Sequence, residues 1–369
     1  MGINIGKLLG REEIIIDTKN IGKEIYNKRI LVTGAAGSIG RELVRQIVLY
    51  KPGKLVLVDN SEIGIVYLVE KYGAIPGIEI EFADITDHDE MSPIFSGSKP
   101  QIVFHTAAFK HVSLLERFPY KAIKNNLFGT ILLADLSALN QVEKFVFIST
   151  DKAVNPVSTM GFTKRSSEIY LQSFNSDNRS NTQFIITRFG NVLGSSGSVY
   201  PIFNQQIENK QPITVTHPEV SRYFMTLSEA SQLVLEAAAI GKGGEILIFK
   251  MGNPVVIHDL ANRMIKLAGL IPGKDIKIEY TGLRDGEKLH EDLLHDDEIL
   301  TASHHPHIDI VNFSNTSKTD IHEIILLLHE VMKTANSEQL LSILKNSLKE
   351  TSHSEFIKFL VQPQNYLRI

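Results

Sequence analysis

Residues 29–40 read RILVTGAAGSIG, a β-branched run that breaks into glycines and resumes with helical spacing at Ser38. Gly34, Gly37 and Gly40 therefore fall where a strand turns into a helix. Glycines there allow a tight turn, close approach of the backbone to a pyrophosphate, and close packing of helix on strand. The first turn of the helix leaves N–H groups for the phosphates. Asp59, 19 residues after Gly40, closes the next apolar run, where a carboxylate meets an adenosine ribose 2′-hydroxyl and repels a 2′-phosphate. The stretch predicts a dinucleotide site that prefers NAD. Arg41 keeps NADP as the less favoured alternative, since a guanidinium beside the glycine loop can pair with that phosphate.

The same rhythm continues on both sides. Apolar runs recur at Arg29–Thr33, Lys54–Val58, Ile78–Phe82, Ile102–His105, Lys144–Ser149 and Phe184–Arg188. Stretches with helical spacing separate them, among them Ser38–Tyr50, Lys121–Leu139 and Thr159–Phe174. Strands alternating with helices predict an α/β fold, a Rossmann-type doubly wound parallel sheet. Ligands of such sheets bind beyond the carboxyl ends of the strands. After Arg188 the pattern loosens into GNVLGSSGSV (Gly190–Val199), followed by helix-like Ser228–Ile240, strand-like Glu245–Phe249 and helix-like Ile257–Leu267. The expected division is an arm over 1–27 and a nucleotide-binding domain over 28–190, with returning segments around 225–255. A smaller interleaved substrate-binding lid covers 191–224 and 256–319. Two amphipathic helices over 320–369 form a tail.

Composition narrows the function. The chain has 369 residues, 43% hydrophobic, with 38 Lys and Arg against 42 Asp and Glu. A net charge of −4 gives no electrostatic footprint for nucleic acid. No run approaches the length of a membrane span, and the first residues do not read as a secretory signal. The absence of cysteine excludes disulfides, thiolate catalysis and cysteine-ligated metals, and fits a cytoplasmic location. His290 and His295 are five apart rather than four, and His304, His305 and His307 surround a proline, so no metal site is expected. His111 reads equally as structural or substrate-facing.

The fifth apolar run ends in Thr150, Asp151 and Lys152. A hydroxyl, a carboxyl and an amine at the end of a strand above a cofactor offer more acid–base groups than a simple reductase needs. Arg188, Arg222 and Arg284 are candidate anion-binding groups beyond the sheet, because guanidinium forks pair bidentately with a diphosphate.

The glycine spacing after Thr33 resembles the extended short-chain dehydrogenase/reductase family. The resemblance sharpens with STDKAVNP (Ser149–Pro156), HTAAFKHV (His105–Val112), SRYFMT (Ser221–Thr226) and TGLRDGEKL (Thr281–Leu289). Together these motifs are similar to nucleotide-sugar 4,6-dehydratases of bacterial surface-polysaccharide and glycan pathways. They are most similar to UDP-N-acetylglucosamine 4,6-dehydratases that carry Met in place of the catalytic Tyr. In this chain Met160 takes the tyrosine position, four residues before Lys164. The resemblance runs from LLGRE (Leu8–Glu12) to about residue 345. Longer members carry membrane helices ahead of this domain, so the chain reads as a soluble form or an excised fragment.

The resemblance implies a tightly bound, recycled NAD, a UDP-sugar substrate and a homo-oligomer. It places Ser38, Ile39, Asp84, Ile85, Ala107, Ala108, Lys110 and Asn126 around the cofactor, with Lys164 on the nicotinamide ribose. It places Asn191, the Gly194–Val199 backbone with Ser198 and Val199, Arg222, Arg284 and Glu287 around UDP; Arg188 packs within the strand end. It further implies oxidation at C4, elimination of water across C5–C6 and reduction at C6. Asp151 acts as acid and Lys152 as base, the latter neutralised by its cationic surroundings. Thr150 holds the C4 hydroxyl, whose proton goes to Asp151, to a relay through Thr150, or to water. A nucleotide-sugar 4-epimerase, a ketoreductase and a non-catalytic NAD sensor remain as alternatives.

Overall fold

The computed structural model describes residues 8, 9, 11, 14, 19–176, 180–296 and 298–313. The expected helical tail over 320–369 lies outside these residues, as does part of the arm. The strands are β1 (Arg29–Thr33), β2 (Lys54–Asp59), β3 (Ile78–Phe82), β4 (Ile102–His105), β5 (Lys144–Ile148) and β6 (Gln183–Arg188), with β7 at Asn191–Leu193 and β8 at Ile213–Val215. They continue with β9 (Ser221–Arg222), β10 (Phe224–Thr226), β11 (Ile246–Phe249), β12 (Val255–Val256), β13 (Ile278–Tyr280), β14 (Glu298–Ala302) and β15 (Ile308–Phe313).

Nine of these form one sheet in the order β14-β15-β11-β6-β5-β4-β1-β2-β3. The strands from β3 through β11 run parallel, and β15 and β14 add antiparallel at the far edge. The strand order reverses between β1 and β4, so loops leaving their carboxyl ends diverge and open a crevice there. The expected Rossmann-type sheet is what the chain forms.

Alternation along each strand divides the core. Leu31, Val103, Phe145, Phe147 and Phe184 face one side and meet Leu133, Ala134, Phe162 and Leu171 of helices Gly129–Leu139 and Thr159–Ser176. Ile30, Val32, Phe104, Val146 and Ile185 face the other and meet Leu43, Val44, Ile47, Leu233 and Val234 of helices Ser38–Leu49 and Leu227–Ile240. Burying each such side chain contributes about 1.5–3 kcal/mol. A third core holds Leu8, Leu9, Phe203, Ile213, Phe224, Leu260 and Ile265. It joins the arm to helices Val199–Glu208 and Ile257–Leu267 and to three small strand pairs, β10 with β7, β12 with β9 and β13 with β8.

Two expectations change. The lid expected over 256–319 does not extend through residues 298–313, because β14 and β15 belong to the main sheet. The helix expected over Lys121–Leu139 is interrupted by a π-helical turn, Ile123–Phe128. The carbonyl of Asn126 accepts from Thr130 Oγ1 at 2.6 Å and Ser167 Oγ at 3.1 Å, and those bonds satisfy an acceptor that the widened turn releases.

Arg188 explains why β14 belongs to the sheet. It is fully buried at the end of β6. Its guanidinium meets Glu168 at 2.7 Å and Glu298 at 2.7 Å, from the helix Thr159–Ser176 and from β14. Replacing Arg188 with Met would leave two buried carboxylates with only the partly exposed Arg165 between them, at 3.0 and 3.2 Å, at a cost of about 3–5 kcal/mol. Urea unfolding of Arg188→Met measures this; a loss under about 1 kcal/mol would show that the cluster does not tie the elements together.

Candidate active site

The glycine loop is tight because its neighbours leave no room for side chains. Gly34 sits at φ +67°, and a Cβ there would lie 2.6 Å from the Ala107 backbone. A Cβ on Gly40 would lie 2.1 Å from the Gly34 carbonyl oxygen. Thr106 Oγ1 donates to the Thr33 carbonyl at 2.8 Å, locking the β1 and β4 ends together. The helix starting at Ser38 has Gly37 as N-cap with no side-chain cap. The N–H groups of Ser38, Ile39 and Gly40, in the first helical turn, lack intrahelical acceptors by geometry. This cradle fits a pyrophosphate.

Asp59, at the end of β2, accepts from the backbone N–H of Ala36 and of Ser61, both at 2.9 Å. The predicted ribose ligand thus also shapes the loop. Arg41 donates to the Ala36 carbonyl at 2.7 Å and stacks 3.8 Å above the Tyr67 ring. Asp84 accepts from the Thr86 N–H at 2.8 Å. Burial raises its carboxyl, but bonds from Thr86 and Asn60 and the charge of Lys124 prevail and hold it below the usual range. Ile85 is buried against Gly129.

Asn126 spends its amide on the Phe109 backbone, accepting from its N–H and donating to its carbonyl, each at 2.8 Å. It therefore fixes the loop Ala107–Lys110 from behind. Lys110 Nζ reaches Ser195 Oγ at 3.1 Å, and Ser196 N–H donates to Ser38 Oγ at 3.0 Å. His111 lies under Gly197, where a Cβ would come 2.4 Å from its ring. The Gly194–Ser198 turn thus bridges the glycine loop and the loop after β4. Ser198 Oγ is buried and without a hydrogen-bond partner among the described residues. Val199 begins the helix that follows.

At the end of β5 the chain enters a short 3-10 turn, Asp151–Ala153, capped by Thr150. Asp151 is fully buried. Its Oδ1 accepts from Thr150 Oγ1 and from Lys152 Nζ, each at 2.9 Å, while Oδ2 has no partner among the described residues. Lys152 Nζ also donates to Asn191 Oδ1 at 3.0 Å and lies 3.6 Å from Glu291. Burial lowers the Lys152 ammonium, but the Asp151 and Glu291 charges and the Asp151 hydrogen bond outweigh it and the Arg222 repulsion, and the net shift is upward. The sequence expectation of a depressed Lys152 is thereby corrected: two carboxylates face it.

Lys164 behaves in the opposite way. Its Nζ donates to the Ile148 carbonyl at 2.8 Å and sits 4.4 Å from the Phe147 ring centroid. Burial lowers it to about 7, with Glu168 opposing only in part. Met160 packs one turn earlier with Leu115, Ala122 and Val112.

On the expected substrate side, Arg222 donates to the carbonyls of Ser221, Lys288 and Leu289 and lies 3.0 Å from Glu287. Glu287 also accepts from Thr216 Oγ1 at 2.9 Å and from the Arg284 N–H at 3.2 Å. Arg284 is exposed. Thr150, Asp151, Lys152, Asn191, Arg222 and Glu287 are thus brought together, whereas Arg188 belongs to the buried cluster below.

Residues 30–313 match the family described as polysaccharide biosynthesis protein. The chain belongs to this family. It is similar to the capsular polysaccharide biosynthesis protein CapD of Staphylococcus aureus, 44% identical over 92% of the chain, and spans 57% of that relative's length. A UDP-N-acetylglucosamine 4,6-dehydratase (inverting) of Campylobacter jejuni is 34% identical over 74% of the chain and 80% of its own. A UDP-glucose 4-epimerase of Rickettsia bellii is 31% identical over 75% of the chain and 80% of its own. Among solved structures, Pen from Bacillus thuringiensis superposes with a TM-score of 0.72 at 34% identity, covering 84% of this chain and 99% of that one. DesIV of Streptomyces venezuelae, a dTDP-glucose 4,6-dehydratase solved with NAD, has a TM-score of 0.63 over 72% of this chain and 87% of its own; at 20% identity it shows the shared fold.

Sequence reading passed over Glu291 and Glu168. Glu291 stands between His290 and His295, and among the described residues no group of three or more His, Asp or Glu stands so as to hold a metal ion. Glu168 follows Lys164 by four residues, a spacing that puts both on one helical face. The low Lys164 value has a measurable consequence. The unfolded chain keeps that proton to about pH 10.4, so between pH 7 and 9 it binds more protons than the folded chain, and stability rises with pH. Measured by urea unfolding without added nucleotide, the stability of wild type relative to Lys164→Met should rise by up to about 2 kcal/mol between those pH values. An unchanged difference would show that Lys164 folds with an ordinary lysine pKa.

Proposed function

We propose that the chain is an NAD-dependent nucleotide-sugar 4,6-dehydratase acting on UDP-N-acetylglucosamine in bacterial surface-glycan synthesis. The product would be the UDP-2-acetamido-2,6-dideoxy-4-keto-hexose. The observation that carries this reading is the hydrogen-bonded Thr150–Asp151–Lys152 group at the end of β5. A 4-epimerase also oxidises C4, but it eliminates nothing and has no use for a buried acid joined to an amine.

The cradle of Gly34, Gly37, Ser38 and Gly40 with Asp59 fits a dinucleotide with an unmodified ribose, and NAD in DesIV supports the choice. Bound NAD would supply the acceptor for the C4 hydride and its return to C6. The residues then move protons. Thr150 Oγ1 already donates to Asp151 Oδ1, which favours the relay among the three routes for the C4 hydroxyl proton. Asp151, protonated in this way, returns that proton to the C6 hydroxyl as water departs. Neutralising Asp151 also removes one of the two charges holding Lys152 up. With Asp151 neutral, Lys152 releases its ammonium proton to solvent along its 19% exposed side chain, takes the C5 proton as the free amine, returns it to C5, and is reprotonated from solvent after turnover. Arg222 and Arg284 lie on the side assigned to the diphosphate, and Glu287 to the uridine ribose. Lys164 holds the nicotinamide ribose.

Incubation with UDP-N-acetylglucosamine and mass analysis of the product tests the reading. Loss of one water supports it; an unchanged mass points to an epimerase or a sensor and overturns it. Asp151→Asn and Lys152→Ala should each lower turnover by about 10²–10⁴, the usual worth of a positioned acid or base, while the protein keeps its nucleotide. Near-wild-type turnover in either variant would remove that residue from proton transfer.

On this reading Met160 is a packing group. Met160→Ala should cost about 2–3 kcal/mol of stability, with turnover reduced less than about tenfold, since no acid–base group is lost. A loss as large as that of Asp151→Asn would assign Met160 to the chemistry.

A further inference from the structure

We infer that Glu291 is a positioning residue of the reaction centre, a second carboxylate that holds the Lys152 amine against Asp151 and couples it to Arg222. The inference deepens the dehydratase reading and rests on it for the proton that Lys152 moves.

Glu291 is buried, its side chain 3% exposed, on the segment that follows Glu287. Its Oε1 lies 3.6 Å from Lys152 Nζ and 3.8 Å from Arg222 Nε. Its Oε2 is buried and has no hydrogen-bond partner among the described residues. A buried carboxylate oxygen without a donor costs free energy, which a purely structural position would avoid by carrying an amide or an apolar group. Oδ2 of Asp151, the other carboxylate that meets Lys152, is left in the same condition. Two incompletely satisfied carboxylates thus meet one amine.

The surroundings of Lys152 are otherwise accounted for. Its own strand end contributes Asp151, β7 contributes the neutral Asn191, β9 contributes Arg222, and the segment after Glu287 contributes Glu291. Lys288, on that same segment, turns away to the Val154 carbonyl and Asp292, both at 3.0 Å. When Asp151 takes a proton during turnover, Glu291 is the carboxylate that still faces Lys152. It sets how readily the amine gives up its proton, and it keeps the amine within reach of the sugar. Arg222 shares the same oxygen, so a diphosphate drawing on Arg222 would change the charge that Glu291 presents to Lys152.

The test reads the amine directly, since only its neutral form is methylated by formaldehyde and cyanoborohydride. The Lys152 side chain is 19% exposed, which gives the reagent access. At pH 8, peptide mass analysis of the 369-residue chain compares wild type, Glu291→Gln, Glu291→Asp and the surface control Glu279→Gln. Losing an opposite charge at this distance lowers a lysine pKa by about one unit or more, so Lys152 of Glu291→Gln should methylate about tenfold faster. Lys288 reports any loosening of the segment and should be unchanged, as should Lys152 in the control. Glu291→Asp should fall between the two, and it carries the test if Glu291→Gln fails to fold. An equal Lys152 rate in wild type and variant, or an increase shared by Lys288, overturns the inference. In active enzyme the pH limb governed by Lys152 should move to lower pH in Glu291→Gln. If wild type fails to dehydrate the sugar nucleotide, the proposed function falls, while the methylation result still decides the place of Glu291.

Discussion

A single buried guanidinium sets the positions on which the site depends. Arg188 has no exposed surface, and its donors are taken by Glu168 and Glu298. A charge removed from water is tolerable only when opposite charges and hydrogen bonds replace hydration. The helix carrying Glu168 and the strand carrying Glu298 must therefore both arrive at the end of β6. Glu168 also accepts from Ser149 Oγ at 2.6 Å, so the same cluster fixes the residue just before Thr150. The end of β5 is held from below before any substrate is considered.

This arrangement drives the two lysines in opposite directions. Lys164 lies four residues before Glu168, yet that carboxylate is committed to Arg188 and Arg165. Desolvation therefore dominates, and the ammonium falls to about 7. Lys152 is also desolvated, but Asp151 hydrogen-bonds it at 2.9 Å and Glu291, which Arg222 approaches only to 3.8 Å, faces it as well, and the net shift is upward. Burial alone predicts neither result. The deciding quantity is whether a nearby acid has already been claimed by a better-placed guanidinium, whose fork binds both oxygens of a carboxylate at once.

The frame was legible in the sequence because its signals are local. RILVTGAAGSIG shows its strand, its turn and its helix within twelve residues, and Asp59 follows at a fixed remove. Thr150, Asp151 and Lys152 are adjacent, so their meeting needed no knowledge of the fold. Other parts carried misleading local signals. The helix Glu62–Tyr72 exposes Ile63, Val66 and Val69, which blurs the polar face that periodicity looks for. The helix His88–Ser98 contains Pro93, which reads as a breaker. The π turn at Asn126 depends on Ser167, 41 residues away. Strands β14 and β15 look like any lid hairpin until Arg188 asks for Glu298. Glu291 was opaque for the same reason: its partners, Lys152 and Arg222, are far away in the chain.

The arm shows how distant segments act on the strand end. Leu8 and Leu9 are buried in the third core, and Arg263 donates to the Leu8 carbonyl at 3.0 Å. Arg11 and the Ile14 N–H both reach Glu229, at 2.6 Å and 2.7 Å. Burial raises the Glu229 carboxyl, but the Arg11 bond and charge and the backbone donors of Ile14 and Thr226 hold it below the usual range. Glu229 is also half of the capping box with Thr226, the last residue of β10. Strand β10 pairs with β7 from Asn191 onward, and Asn191 bonds Lys152. A charge-assisted contact at one end of this series thus limits the freedom of the amide at the other, because each step is a directional bond between buried or half-buried groups. Through these steps the described residues of the arm, Arg11 and Ile14 among them, help to orient Lys152.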